Sequence, residues 1–591
     1  MKTPCKICPL FSHVYHNIWG RILFSAGIAA LTMLLFSKVQ TISYLTNDDN
    51  AIAFALAGYQ TGAPYPYALF INCLLGYLVS MLYTLLPAVP WWPVLQLCVI
   101  FLSLTVIGSV LLRLGERQGR SVFLPLMLYG SLLLLCALQP VVLLTYTVTA
   151  AFAGAAGVAL LVCAVGENIK KRRILNLFGV LALFGSFLWR EETGFVMLCF
   201  FAVACVYRVL LPLWEQKLMR KLDGQQRQCA VYLRDTAVCF LAVALLCGGA
   251  FCLNNAMRAR VDGKRYTAFF QYRERFTDYP RDTYAENPEL YASVGWDETV
   301  YALADNWCFL DERIQADTLK KITEGSTHWT MPSLRTAAME LSTWLHEEPS
   351  AWMTVCVLLC LLLAAIYQFL KNGRRNPSAL IALLCCLLGG MALCVYLCLS
   401  GRFLLRTFQV VAIPAITLSM ALFLELPKTQ RRIDHVALAI VLGGIMVASL
   451  LSGVLQAKEL RVNSPKQLLA DCRSVHAYVL AHPQDVFVRD TLTFNDIDAF
   501  ATFPDGKPIN LLSWGGCGMR SEAYHRQLAA NGITAQYADL FRAENVYFIT
   551  SAQRTDAGEL LLNYLKTVQG ASGYARVDTI GSEIAVYKVL Y

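Results

Sequence analysis

Apolar stretches suited to crossing a lipid bilayer recur along this chain as far as residue 455, and that recurrence decides which solvent it folds in. Examples are Ile22 to Phe36, Trp91 to Leu112, Val141 to Val165, Ala237 to Leu253 and Met353 to Leu370. A hydrocarbon core of roughly 30 Å takes about 20 helical residues. Of the 591 residues, 57% are hydrophobic and only 15% charged, where soluble domains run near a quarter charged. Soluble-enzyme readings are therefore set aside, and the expected fold is an α-helical polytopic membrane protein.

The formal charge of +9 does not imply a nucleic-acid partner. The basic residues sit in short clusters between apolar runs: Lys2/Lys6/Arg21, Arg113/Arg117/Arg120, Lys170 to Arg173, Lys217/Arg220/Lys221/Arg227, Lys371/Arg374/Arg375 and Lys428/Arg431/Arg432. Short basic loops mark the cytoplasmic side of a membrane protein. Counting every apolar run as a span puts these clusters on both sides. Removing one crossing, Tyr67 to Leu86, puts them all on one side. Residues 41–90 are then expected on the outer side, with 67–86 lying in the interface or dipping in and returning. Pro64, Pro66, Pro87, Pro90 and Pro93 and the Trp91-Trp92 pair suit chain reversals and an interfacial belt.

About eleven spans follow, near 20–40, 91–112, 121–138, 141–165, 174–190, 193–213, 235–253, 351–370, 378–399, 403–424 and 435–455. The N-terminus is expected in the cytoplasm and the C-terminus outside, in a cell membrane of bacterial type. Four regions result: a membrane domain 1–253 with first outer loop 41–90, a large extracytoplasmic loop domain 254–350, further spans in 351–456, and a small C-terminal α/β domain 457–591. In the last, strand-like runs occur at Val486 to Arg489, Ile509 to Ser513, Val546 to Ile549 and Ile584 to Val589. Helical runs occur at Ser521 to Ala530 and Asp556 to Thr567. Gly515-Gly516 is a turn signal.

The 21 cysteines lie mostly inside apolar runs, where they act as small hydrophobes. Cys5-x-x-Cys8 with His13 and His16 has some character of a metal site, although unligated cytoplasmic residues fit the short loop better. His525, Cys472 and Cys517 form no recognisable triad, and a Cys472–Cys517 disulfide is an open pairing. Phosphate-cradling, HExxH and dinucleotide motifs are absent.

The most informative local feature is Thr46-Asn47-Asp48-Asp49-Asn50, just beyond the first span. Adjacent carboxylates at a membrane surface are costly unless solvated, bound to a metal or put to use. Capping of a following helix, Ala51 to Gln60, is the plain structural reading. Arginines at outer span ends run against the positive-inside rule: Arg190 in Trp189-Arg190-Glu191-Glu192, and Arg402 and Arg406, four apart on one face. Local ion pairing of Arg190 and snorkelling of the other two are the plain alternatives. In the large loop, Tyr272, Arg273, Trp296 and Trp307 suit either a sugar or acceptor site or the core of a small domain.

The segment running from Asp48-Asp49 through a short helix, Gly58, Gly62-Ala63-Pro64-Tyr65-Pro66 and an apolar stretch to Pro87 and the Trp pair resembles the first outer loop of GT-C-fold glycosyltransferases. That superfamily includes protein O-mannosyltransferases and lipid A aminoarabinose transferases. The motif likeness covers about fifty residues, while the large loop and the α/β tail match no single member. The resemblance implies transfer of a sugar from a polyprenyl-phosphate carrier to a glycan, lipid or protein acceptor at the outer face. It makes Asp48 or Asp49 the base and Arg190, Arg402 and Arg406 the ligands of the donor phosphate. The acidic pair also permits a divalent Mg²⁺ or Mn²⁺ ion, although two ligands are not a site. A transporter or flippase of lipid-linked saccharides, or a polymerase of them, is the alternative. Nearly charge-free span centres weigh against transport.

Overall fold

The computed structural model describes residues 15–591 except 219–224, 310, 327–333, 372–376, 428–431, 491–495, 504–508, 534–536, 552–554 and 582. Cys5, Cys8 and His13 lie outside the described residues. Helix α1 (Ile18–Phe36) leads to a two-residue strand β1 (Ser43–Tyr44), helix α2 (Asn47–Ala57) and helix α3 (Cys73–Leu85). The bundle continues through α4 (Trp91–Arg117), α5 (Phe123–Cys136), α6 (Leu138–Val142), β2 (Leu143–Leu144), α7 (Tyr146–Cys163), α8 (Ile169–Trp189), α9 (Glu191–Leu218) and α10 (Gln225–Val261).

Ten described helices are long and apolar enough to cross a membrane, so the chain is a multi-pass membrane protein. The expected span at 121–138 is shorter than that, a 14-residue helix followed by the five-residue α6. The chain turns at Ala137 to Val142, then pairs β2 in parallel with β1 through Ser43↔Leu143 and Tyr44↔Leu144. That pairing delays the next helix to Tyr146, against an expected start near 141. Helix α3 has 13 residues, about 20 Å at 1.5 Å per residue, too short to span. One face, with Leu78, Met81 and Leu85, stays exposed while Leu75, Val79 and Tyr83 are buried.

Helix α7 is the buried axis of the bundle, and composition explains why. Its alanines and glycines let neighbouring backbones approach closely. A Cβ on Gly157 would stand 2.8 Å from the Gly179 carbonyl oxygen of α8, so no larger residue fits there.

Beyond α10 the chain forms α11 (Gly263–Asp278), α12 (Pro288–Ala292), α13 (Glu298–Asp305), α14 (Ala316–Gly325) and α15 (Leu334–Glu347). It re-enters the bundle as α16 (Pro349–Lys371), α17 (Pro377–Leu399), α18 (Leu405–Glu425) and α19 (Arg432–Val462). The C-terminal region opens with α20 (Lys466–Ala481) and builds a mixed five-stranded sheet, ordered β4-β3-β5-β7-β6. The strands are β3 (Val486–Arg489), β4 (Leu511–Ser513), β5 (Val546–Ser551), β6 (Gly573–Ile580) and β7 (Ile584–Leu590), with helices α21 (Glu522–Ala530) and α22 (Thr555–Gln569) between them. Strands β3, β4 and β5 run parallel, and β7 and β6 are added antiparallel. Edge strand β6 and helix α20 were not expected from sequence: most of β6 is exposed, so it lacks a continuous apolar run.

The two polar regions are not separate bodies. Phe276, Trp296 and Phe309 of the loop domain share one apolar core with Val488, Trp514 and Phe548 of the sheet. Arg520 fastens them further by donating to the carbonyls of Phe309 (3.0 Å) and Asp311 (2.7 Å).

Candidate active site

Helix α2 is short, begins with Asn47-Asp48-Asp49 and ends at Gly58. Acidic residues in a first turn face the positive end of the helix dipole, which stabilises them there. Gly58 is required: its φ is +84°, and a Cβ would collide with the backbone of Ala63 and Pro64. The chain reverses there and Tyr65 N–H donates to Ala55 O at 2.9 Å, bringing the 65–70 segment back beside α2. Arg258, at the end of α10, holds this segment through the carbonyls of Tyr67 (3.3 Å), Ala68 (2.5 Å) and Ile71 (2.7 Å).

Successive helical residues point about 100° apart, and the two aspartates therefore part company. Asp49 is fully buried and turns into the bundle. Its Oδ1 accepts from Trp92 Nε1 (3.1 Å), Gln96 Nε2 (2.8 Å) and the Tyr146 backbone N–H (3.0 Å). Burial pushes its carboxyl up to about 7, against the pull of these donors, and Asp48 adds a smaller push upward. Asp48 instead faces a cavity of about 560 Å³, with Oδ2 3.6 Å from Arg406 Nη1. The two carboxylates thus do not converge on one ion. Among the described residues no group of three or more His, Cys, Asp or Glu side chains is placed to hold a metal. The residues present do not fit the divalent ion that the pair permitted.

The cavity lies where the bundle, the loop domain and the sheet domain meet. Its walls include Asp48 and Ile52 of α2, Tyr65 to Phe70, Arg190, Arg273 of α11, Trp307, Arg402, Arg406 and the Gly515 to Met519 turn. Arg190 occupies the break between α8 and α9, where the backbone is extended. It donates to Tyr146 Oη (2.7 Å) and Thr147 Oγ1 (2.6 Å) and pairs with Glu192 at 3.3 Å. Arg402 is held by two carboxylates of α11, Glu274 at 3.1 Å and Asp278 at 2.9 Å. Arg406 makes no hydrogen bond among the described residues, and its Nη1 is buried. Its 3.6 Å approach to Asp48 is an ion pair outside hydrogen-bond range.

Of the residues proposed for an acceptor or sugar, Arg273 and Trp307 line the cavity. Tyr272 does not; it packs against the shared core, and Arg275 lies over its ring at 5.6 Å. Trp296 is also away from the cavity, buried in that core with Nε1 donating to the Arg313 carbonyl at 3.1 Å. No disulfide forms between Cys472 and Cys517: Cys517 keeps its thiol in the cavity wall, whereas Cys472 is buried on α20.

Sequence reasoning missed Tyr146, Phe270 and Arg489 as lining residues. Only the Gly515-Gly516 pair carried a signal, and it was read as a turn. Backbone strain gives a further mark. The described non-glycine residues with positive φ are Phe70, Trp307 and Arg520. The first two line the cavity and the third adjoins its wall at Met519 and Ser521. Such conformations cost energy and gather at working sites.

No family model matches the chain, and no curated protein matches its sequence. Two solved structures of ArnT from Cupriavidus metallidurans are similar in arrangement. One, bound to undecaprenyl phosphate, is 12% identical with a TM-score of 0.38, and the other, in the apo state, is 13% identical with a TM-score of 0.39. Each alignment covers 96% of this chain and 98% of that one. At these scores the likeness is one of overall arrangement and bears on no residue or reaction.

Proposed function

We propose that this protein is a membrane glycosyltransferase that moves a sugar from a polyprenyl-phosphate donor to a hydroxyl of a glycan, lipid or protein acceptor. The observation that carries the reading is Asp48 facing the cavity, with the Arg406 guanidinium 3.6 Å away and Arg190 in the same wall. The acceptor oxygen attacks the anomeric carbon and its proton passes to the Asp48 carboxylate. The bond from sugar to phosphate oxygen breaks, its electron pair leaves with the lipid phosphate, and Arg406 and Arg190 stabilise the charge that develops there. Arg402, already paired with Glu274 and Asp278, holds α11 against the bundle, and Asp49 locks α2 onto α4 and α7. The basic clusters orient the cavity toward the extracytoplasmic face.

Transport fits less well. The cavity sits at one end of the bundle, and the small residues of α7 fill the middle by close packing. The test is mass spectrometry of envelope glycans and polyprenyl-linked sugars in cells lacking the protein, complemented with wild type or Asp48→Asn at equal membrane levels. Loss of a glycan decoration, accumulation of its lipid-linked donor and restoration by wild type alone support transfer. Full restoration by Asp48→Asn removes Asp48 from the chemistry.

A further inference from the structure

Arg273 is 1% exposed, and its Nε has no hydrogen-bond partner. Among the described residues its guanidinium pairs with no carboxylate and donates no hydrogen bond. A guanidinium taken out of water without a counter-charge costs several kcal/mol. The acids nearest to it along α11 do not neutralise it, because Glu274 and Asp278 are both held by Arg402. What surrounds it is aromatic, with Phe270 at 4.6 Å and Trp307 at 5.4 Å from ring centroid to Cζ. Such faces hold a cation in place without supplying a negative charge.

The opposing wall is open. Trp307 O accepts from Gly516 N–H at 3.0 Å, which sets the Gly515 to Gly518 turn of the sheet domain beside this arginine. Gly516 has φ +94°, and a Cβ there would meet no atom within 4 Å. The turn therefore leaves room next to an unneutralised cation. Asp48, Arg190 and Arg406 belong to the bundle, whereas Arg273, Trp307 and Gly516 belong to the two domains above it.

We infer that Arg273, Trp307 and the Gly515–Gly518 turn form a second anion subsite, which takes a carboxylate or phosphate group on the acceptor. The inference rests on the glycosyltransferase reading and adds the acceptor's chemical class: it is acidic. Guanidinium forks bind either anion through paired hydrogen bonds.

The experiment is calorimetric titration of the full-length protein in lipid nanodiscs with glycerol 1-phosphate and with glucuronate, against neutral glycerol and glucose. At least one anion is expected to bind tenfold or more tightly than its neutral counterpart. Arg273→Gln lowers that affinity at least tenfold and Arg273→Lys keeps part of it. Gly518→Leu, on the same turn, whose Cβ would meet only Leu69 Cδ1 at 3.9 Å, narrows the open space and leaves the charge alone; it also blocks binding and covers the case in which Arg273→Gln does not fold. Prior saturation with polyprenyl phosphate leaves the titration unchanged. Three results overturn the inference: no anion binds wild type, Arg273→Gln and Gly518→Leu both bind like wild type, or polyprenyl phosphate displaces the anion and so claims the subsite for the donor. Arg273-dependent anion binding in a protein that binds no polyprenyl phosphate would sink the transfer reading and leave the anion subsite standing.

Discussion

The arginines that tie helix ends together at one end of the bundle differ from two of those around the cavity at the other. At the end away from the domains, Arg21 bonds to Glu116 at 2.6 Å, Arg113 to Glu167 at 2.6 Å and Glu116 at 2.8 Å, and Arg117 to Glu425. Tyr207 adds a further bond to Glu425 at 3.0 Å. At the domain-bearing end Arg402 is paired in the same way, but among the described residues Arg273 pairs with no carboxylate and Arg406 stands 3.6 Å from Asp48. Saturated pairs fix where helices end. Unsaturated ones keep a field available for a ligand that brings its own charge.

The sharpest break of that contrast is Asp48→Asn. It is expected to lower transfer by about 10² to 10⁴-fold, the usual worth of a general base, with an unchanged thermal melt. A matching fall in melting temperature would move Asp48 to the structural side. Glu425→Gln should act in reverse, destabilising the fold by on the order of 3 kcal/mol because it strands a buried arginine, while activity per folded molecule stays the same. Denaturation in detergent paired with an activity assay separates the two.

Asp49 sharpens the comparison through pH. Its folded carboxyl titrates near 7 and its unfolded one near 3.8. Between these values the folded chain holds a proton that the unfolded chain has lost. Stability from this group is therefore fully present below pH 4, falls as pH rises to 7 by at most about 1.4 kcal/mol per unit, and is level above. Asp49→Asn should flatten that slope in melts taken from pH 4 to 8, and at neutral pH transfer should stay within about threefold of wild type. The smallest effect is expected from Arg406→Gln, about tenfold weaker polyprenyl-phosphate binding, read by lipid titration in nanodiscs.

Length and apolarity made the spans readable, and charge parity alone marked 67–86 as the run that does not cross. The sheet strands were readable where apolar residues run together, as at Val486 to Arg489, and unreadable at β6, whose residues are mostly exposed. The aspartate pair drew attention as a pair, but telling Asp48 from Asp49 needs the rotation of α2 against Trp92 and Gln96. Arg273 was harder still. Its neighbours Glu274 and Asp278 look in sequence like its own partners, and only the fold reveals that a residue more than a hundred positions away takes both. Trp296 and Trp307 are alike as sequence signals, and one lies in the core while the other lines the cavity.

The core shared by the loop domain and the sheet domain also sets an order of events during synthesis. Phe276 leaves the ribosome 272 residues before Phe548, with which it shares that core. At about 5–20 residues per second the interval is roughly 15–55 s. For that time the apolar side of α11 and its neighbours waits at the membrane surface while four more helices are inserted, and the last part of the cavity wall, Gly515 to Gln527, is made only after those helices.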